Sequence, residues 1–232
     1  MPMGQRSSTT TRNTRRASLG AFTVAALLVV LSLASLDLVS AVDDAAYGFV
    51  MRNAGGGPHL REWLAWLLQA RIASAIVCLL LYVGTARIVQ RDVPPVYVAW
   101  RRPAFVASAW LIGTVIAIHG FGVYVPPLPR TVDVAAFLGF GLLAEELLFR
   151  GAIFAVAAHV FPSRRALPIV LTAVLFSLQH LQYYRFHAGT QALTQVAYTL
   201  PLGLVLGYVR AATGRLLPGI GLHVLNNAIA VL

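Results

Sequence analysis

Long apolar runs, separated by short arginine clusters, set the strongest limit on what this chain can fold into. Several runs reach the roughly 20 residues that a helix needs to cross a bilayer. Only 11% of the residues are charged, whereas an ordinary soluble domain has about 25%. The runs do not alternate polar and apolar residues as the strands of a membrane barrel do. The sequence therefore predicts an all-α, polytopic bundle of transmembrane helices.

The apolar runs predict about seven spans and a division of the chain into three parts. The spans are placed at about residues 19–42, 60–89, 104–125, 133–160, 167–182, 188–208 and 216–232. The arginines alternate in density between successive loops, and the positive-inside rule then puts the N-terminus inside. Residues 1–18 are polar and basic, a composition that predicts a disordered cytoplasmic tail. The second predicted part, residues 19–130, consists of N-terminal transmembrane helices. The third, residues 131–232, is a transmembrane core that carries the candidate site.

The first apolar run allows two interpretations. Arg15 and Arg16 precede it and residues 39–41 (Val-Ser-Ala) follow it, which resembles a cleavable signal. The run is longer than the 7–15 residues of a typical signal core, so a retained first span is favoured. Asp43 and Asp44 are then expected to open a glycine-rich outer loop.

The net charge of +10 comes from 18 arginines and no lysine. The arginines lie in short clusters between apolar runs, as the positive-inside rule produces. This distribution argues against a nucleic-acid partner and for membrane lipid as the surroundings of the chain. The single cysteine, Cys78, lies in an apolar run and is expected to be a small core residue.

Two adjacent glutamates and an arginine interrupt the fourth apolar run. They are Glu145, Glu146 and Arg150, and only one other glutamate, Glu62, exists in the chain. Placing such groups in a membrane costs a few kcal/mol each, so they are expected to have a function. Glu146 and Arg150 are four residues apart and can pair on one helix face. Glu145 points about 100° away. The alternative is an ion network that only packs helices.

Two later spans also carry polar residues at helical spacing. Phe176 and His180 lie four residues apart in the fifth span, and His223 and Asn227 do so in the seventh, with Asn226 adjacent. Any one of these could simply join two helices by a hydrogen bond. Polar faces on three late spans together indicate one shared site.

The depths of these residues in the membrane do not agree at first sight. Glu145 lies roughly 21 Å from the inner basic loop, and His223 roughly 12 Å, at 1.5 Å per helical residue. A tilted span, or a helix broken near Pro218-Gly219, would bring them to one level.

A carboxylate, two histidines and an amide suit the hydrolysis of an amide bond. A buried glutamate can take a proton from water, and a histidine can share that proton. The other histidine and the asparagine can donate to an oxyanion. Glu145, His180 and His223 could instead hold Zn²⁺. The sequence lacks H-E-x-x-H, which favours the metal-free interpretation.

These residues also form a recognisable set of motifs. The three are Glu145-Glu146-x-x-x-Arg150, Phe176-x-x-x-His180 and His223-x-x-x-Asn227. In this order on successive late spans they resemble the motifs of the CPBP intramembrane protease family. That family contains the type II CAAX prenyl endopeptidases and the bacteriocin-processing or immunity (Abi) proteins. The resemblance covers about residues 131–232.

The resemblance implies a role for each motif residue. Glu145 would activate water with help from His180, and His223 and Asn227 would stabilise the oxyanion. The Glu146–Arg150 pair would shape and neutralise the site. The family's use of a metal is unsettled, so the resemblance does not decide between the two interpretations.

Substrate and location follow from the same resemblance. The substrate would be a peptide or protein: the C-terminal tail of a lipidated protein, a bacteriocin leader or another membrane-associated peptide. The chain would be an integral protein of a bacterial plasma membrane. A non-enzymatic alternative is a transporter or an immunity or scaffold protein whose buried charges relay protons or ions. Common transporters show internal repeats, and none is visible here.

Overall fold

A computed structural model describes residues 41–53, 58–89, 101–120, 134–181 and 189–231. Every regular element in these ranges is a helix, so the prediction of an all-α chain is confirmed for this part. The predicted tail, residues 1–18, lies outside the described residues, as does nearly all of the first predicted span.

The described chain forms eight helices. In order they are α1 (residues 41–53), α2 (Pro58–Gln69), α3 (Ile72–Val89), α4 (Arg101–Val115, continued by a π-helical turn at Ile116–Gly120), α5 (residues 134–160), α6 (Ala166–Gln179), α7 (Gly189–Thr213) and α8 (Leu217–Val231). The final four correspond to the fourth to seventh predicted spans.

The expected outer loop beginning at Asp43 is wrong, because this residue lies inside α1. Its carboxylate accepts hydrogen bonds from the backbone N–H and the hydroxyl of Ser74, the former at 3.0 Å. Ser74 lies in the first turn of α3, where N–H groups have no partner within the helix. Asp43 therefore caps α3 from a neighbouring helix, which no local sequence pattern indicates.

The predicted second span, residues 60–89, is not one straight helix. Its two halves, Leu60–Gln69 and Ile72–Arg87, meet at an angle of 54°. Arg71 lies at the corner with a φ of 69°, a left-handed conformation that a residue other than glycine rarely adopts. The range contains four charged residues, Arg61, Glu62, Arg71 and Arg87, and the backbone breaks at Arg71. Trp63 and Trp66 on α2 stay exposed, as expected of interfacial tryptophans.

Some of the described helices are as long and as apolar as the membrane-spanning helices of an integral membrane protein. Arg101–Gly120 and Ala192–Thr213 can each cross a bilayer, and the bent α2–α3 pair would make a third span. Helix α6 is apolar but only 14 residues long. Helix α7 continues through Pro201. The total of seven spans, with the N-terminus inside, stays a prediction.

Helix α5, which carries the glutamates, is irregular along its length. Two π-helical segments, Ala136–Phe140 and Leu147–Ile153, flank the regular turns Gly141–Glu146. Gly139 has non-helical angles. A Cβ atom at Gly141 would lie 2.5 Å from the carbonyl oxygen of Ala136, so only glycine fits there. Such π-helical insertions are frequent at functional sites.

The core lies where α3, α5, α6, α7 and α8 meet. Helices α6 and α7 pack extensively against each other. A Cβ atom at Gly203 of α7 would lie 2.9 Å from the Cα atom of Ala173 on α6. Small residues let membrane helices approach this closely. The close α6–α7 pair supports one side of the polar cluster described next.

Candidate active site

Glu146 lies at the centre of the polar cluster and is fully buried. Its Oε1 atom accepts from Arg150 Nη1 at 2.9 Å and from His223 Nδ1 at 2.9 Å. The predicted Glu146–Arg150 pair is therefore present. The contact with His223 was not predicted, and it joins α5 directly to α8. One carboxylate oxygen thus ties two of the three motifs together.

The meeting of Glu146 and His223 also resolves the expected difference in depth. No break occurs at Pro218-Gly219, because α8 runs through these residues without interruption. A Cβ atom at Gly219 would lie 3.5 Å from Glu146 Oε2. The start of α8 therefore lies beside the glutamate, and of the two alternatives for the difference in depth the helix break near Pro218-Gly219 is wrong.

Phe176 is the residue that all three motifs contact. The guanidinium of Arg150 lies 4.2 Å from the centre of its ring, within the range of a cation–π interaction. The rings of His180 and His223 meet it edge-on, with centroids at 5.0 and 5.7 Å. The side chain is 1% exposed. In the sequence this residue stood out only by its spacing from His180.

His180 ends α6 and has a defined ring orientation. Its Nδ1 lies 2.9 Å from the carbonyl oxygen of Phe176. A carbonyl only accepts hydrogen bonds, so Nδ1 carries the hydrogen and the neutral ring has Nε2 as its acceptor. Glu145 lies within electrostatic range of His180 and of Arg150. Glu145 and His180 are both partly exposed, and they form the open side of the cluster.

Asn227 lies one turn beyond His223 on α8 and is nearly buried. Its Nδ2 donates to the carbonyl oxygen of Phe137 at 3.0 Å. Asn226 beside it is even more buried and donates to Asn227 Oδ1 at 3.2 Å. The sequence pattern drew attention to Asn226 only as a neighbour. The buried side of the cluster is thus built by α5 and α8.

Four buried side-chain atoms at or beside the cluster have no hydrogen-bond partner among the described residues. They are Glu146 Oε2, Arg150 Nε, Arg150 Nη2 and Gln179 Oε1. Buried polar atoms are almost always hydrogen-bonded in native proteins. Unpaired acceptors near unpaired donors suit a polar molecule, such as water or a peptide group. Gln179 precedes His180 in the chain, and the sequence pattern drew attention to it only as a neighbour of that histidine.

The donor set does not suit a metal held by protein side chains. Within the described ranges, no three His, Cys, Asp or Glu residues gather closely enough to hold an ion. Glu145, His180 and His223 therefore form no zinc-ligand set here. The carboxylate nearest to His223, that of Glu146, is already occupied by the Arg150 guanidinium. The steps proposed below use protein side chains and water only.

Comparison with protein-family models assigns the part of the chain that holds this cluster. Residues 127–229 match the family described as type II CAAX prenyl endopeptidase, Rce1-like. The match contains every predicted site residue and covers α5 to α8 almost completely. No curated protein and no solved structure matches the chain.

Proposed function

Because the chain belongs, through residues 127–229, to the Rce1-like family of type II CAAX prenyl endopeptidases, we propose that it cleaves the C-terminal tail of a lipidated protein within the membrane. The family match supports a CAAX-type intramembrane protease in general. The observation that carries the specific proposal is the meeting of all three motifs at Phe176. A bacterial plasma membrane is the proposed location.

In the proposed mechanism, Glu145 and His180 on the open side of the cluster activate water. Glu145 is partly exposed, so water and a peptide can reach it, whereas Glu146 is fully buried and already holds two donors. Glu145 accepts a proton from water as the water oxygen attacks the carbonyl carbon of the peptide bond. The acceptor nitrogen of His180, Nε2, orients the same water.

Oxyanion stabilisation falls to the buried side. Asn227 Nδ2 uses one hydrogen on Phe137 and has a second for the developing oxyanion. His223 already donates from Nδ1 to Glu146, so its Nε2 can donate only when the ring is protonated. Glu146 lies beside that ring and fixes its orientation through the Nδ1 contact. Preformed donors of this kind are worth a factor of about 10² to 10³ in kcat each.

The tetrahedral intermediate then collapses. Its carbon–nitrogen bond breaks, the oxyanion returns to a carbonyl, and the leaving amine takes the proton that Glu145 holds. The products are a new carboxyl terminus and a released peptide with a free amine. Arg150 balances the charge of Glu146 throughout, because a lone buried carboxylate would be strongly unfavourable.

The arrangement does not favour the proton- or ion-relay alternative. A relay across a membrane needs polar groups distributed along a path. Arg150, His180 and His223 instead surround one phenylalanine, Phe176. The CAAX-type family likewise favours a lipidated tail over a bacteriocin leader as substrate.

The test uses the full chain in liposomes with a quenched fluorescent peptide that ends in a prenylated CAAX sequence. We expect the wild-type chain to release the C-terminal fragment, identified by mass spectrometry. Glu145→Gln and His180→Ala should each lower the rate by a factor of about 10² to 10⁴.

Glu62→Gln on α2 is the matched control, because it makes the same chemical change away from the cluster and should leave the rate unchanged. Full activity in both site variants would refute the proposed mechanism. No cleavage of either the prenylated or the unprenylated peptide by the wild-type chain would refute the function.

A further inference from the structure

Asn226 collects hydrogen bonds from two other helices. Its Oδ1 lies 2.8 Å from Trp110 Nε1 and 3.3 Å from Thr114 Oγ1, both on α4. Tyr198 on α7 donates its hydroxyl to the same oxygen at 2.7 Å. The Asn226 side chain is 1% exposed. A buried asparagine with three donors on one oxygen has its amide orientation fixed.

Trp110 determines which way this amide points. An indole N–H can donate but cannot accept, so the Asn226 atom facing it must be the oxygen. The amide nitrogen of Asn226 is thereby turned towards Asn227, and it lies 3.2 Å from Asn227 Oδ1. Trp110 on α4 thus fixes the orientation of the Asn226 amide, and this amide in turn donates a hydrogen bond to Asn227 on α8.

The same logic fixes Asn227. Because its Oδ1 accepts from Asn226, its NH₂ group must face the other way, where it lies 3.0 Å from the Phe137 carbonyl oxygen. One hydrogen is used on Phe137, and the other is the donor that the proposed mechanism assigns to the oxyanion. If the Asn227 amide turned over, its oxygen would face the oxyanion and repel it.

We propose that Asn226 is a positioning residue that holds Asn227 with its NH₂ group towards the oxyanion, and that Trp110 and Tyr198 set Asn226 in turn. This inference rests on the proposed function. It gives a tryptophan on α4, outside the matched family segment, an indirect part in the reaction. A purely structural role, in which Asn226 only ties α4 and α7 to α8, is the alternative that the experiment must separate.

The experiment is a double-mutant cycle of Asn226→Leu and Asn227→Ala in the full chain, assayed in liposomes with the prenylated peptide. We expect Asn226→Leu to lower kcat about 10- to 100-fold with KM unchanged, because losing one oxyanion donor costs at most about 10² to 10³. In the Asn227→Ala background it should cause no further loss, since its effect acts through Asn227.

Asn53→Leu on α1 is the matched control. That asparagine is exposed, and among the described residues its side chain donates to Phe49 of its own helix, so wild-type kcat is expected. If Asn226→Leu does not fold, Tyr198→Phe removes one donor to Asn226 with little change in volume. It should lower kcat several-fold and show the same lack of effect when Asn227 is alanine.

Three results would overturn the inference. Asn226→Leu (or Tyr198→Phe in its place) could leave kcat at the wild-type value. It could instead cause the same fold loss with and without Asn227, which is the mark of a structural role. A wild-type chain that cleaves nothing would remove the proposed function and this inference together. If the wild-type chain cleaves the peptide and Glu145→Gln does not, the proposed function stands. The Asn226 variants then test the positioning role by itself.

Discussion

His223 and Glu146 lie 77 residues apart in the chain, yet His223 Nδ1 and Glu146 Oε1 are 2.9 Å apart in a fully buried contact. The same carboxylate oxygen accepts from Arg150. This shared oxygen joins the first and third motifs into one unit. Changes to any of the three side chains should therefore alter both the stability of the fold and the geometry of the cluster.

Arg150→Met should destabilise the protein by about 3–5 kcal/mol, because it leaves a buried carboxylate without its cation. Adding Glu146→Gln should recover part of this loss by removing the unpaired charge. Denaturant unfolding in detergent micelles measures both values. Arg52→Met on α1 changes an exposed arginine and should have an effect near zero. Equal stability of the Arg150 variant and the wild type would contradict the buried pair.

Phe176→Leu should lower both stability and kcat, because the leucine side chain offers neither a ring face to Arg150 nor a ring contact to the two histidines. The cation–π contribution alone is about 2 kcal/mol when desolvated. Phe149→Leu is the matched control, since Phe149 is also buried and packs on Phe176 at 5.5 Å.

We expect both phenylalanine variants to unfold more easily and only Phe176→Leu to lower kcat about tenfold or more. Thermal unfolding and the liposome assay give the two readouts. Equal kcat in the two variants would show that Phe176 packs the core without positioning the cluster.

Peptide cleavage should survive treatment with 1,10-phenanthroline or EDTA. The reason is geometric: no group of three candidate ligands exists among the described residues, and Arg150 occupies the Glu146 carboxylate. Rates are compared before and after dialysis against chelator. Loss of activity that returns on addition of Zn²⁺ would contradict this prediction and revive the zinc interpretation of Glu145, His180 and His223.

The helical class and the membrane character were readable from local sequence. Apolar runs about 20 residues long are compatible with few folds other than a helix bundle, and every regular element in the described residues is a helix. The Glu146–Arg150 pair was readable too, because residues four apart on one helix face are neighbours in any fold. These features depend on nearest neighbours along the chain.

The errors arise where a distant residue decides local structure. Asp43 looked like the start of a loop, but Ser74, 31 residues away, binds its carboxylate at the start of another helix. Residues 60–89 looked like one helix, but the chain bends by 54° at Arg71. A periodic apolar pattern in the sequence gives no information about which distant residues or helices will meet.

The sequence alone predicted which residues form the candidate site and which helix face each occupies. Only the tertiary structure decided that Glu146 shares an oxygen with His223, that Phe176 is the common contact, and that Asn226 faces Trp110. The physical reason is that helical spacing fixes the direction of a side chain about its own axis. Which neighbour it meets depends on how helices pack side by side, and that is set by small residues and close contacts such as Gly203 against Ala173.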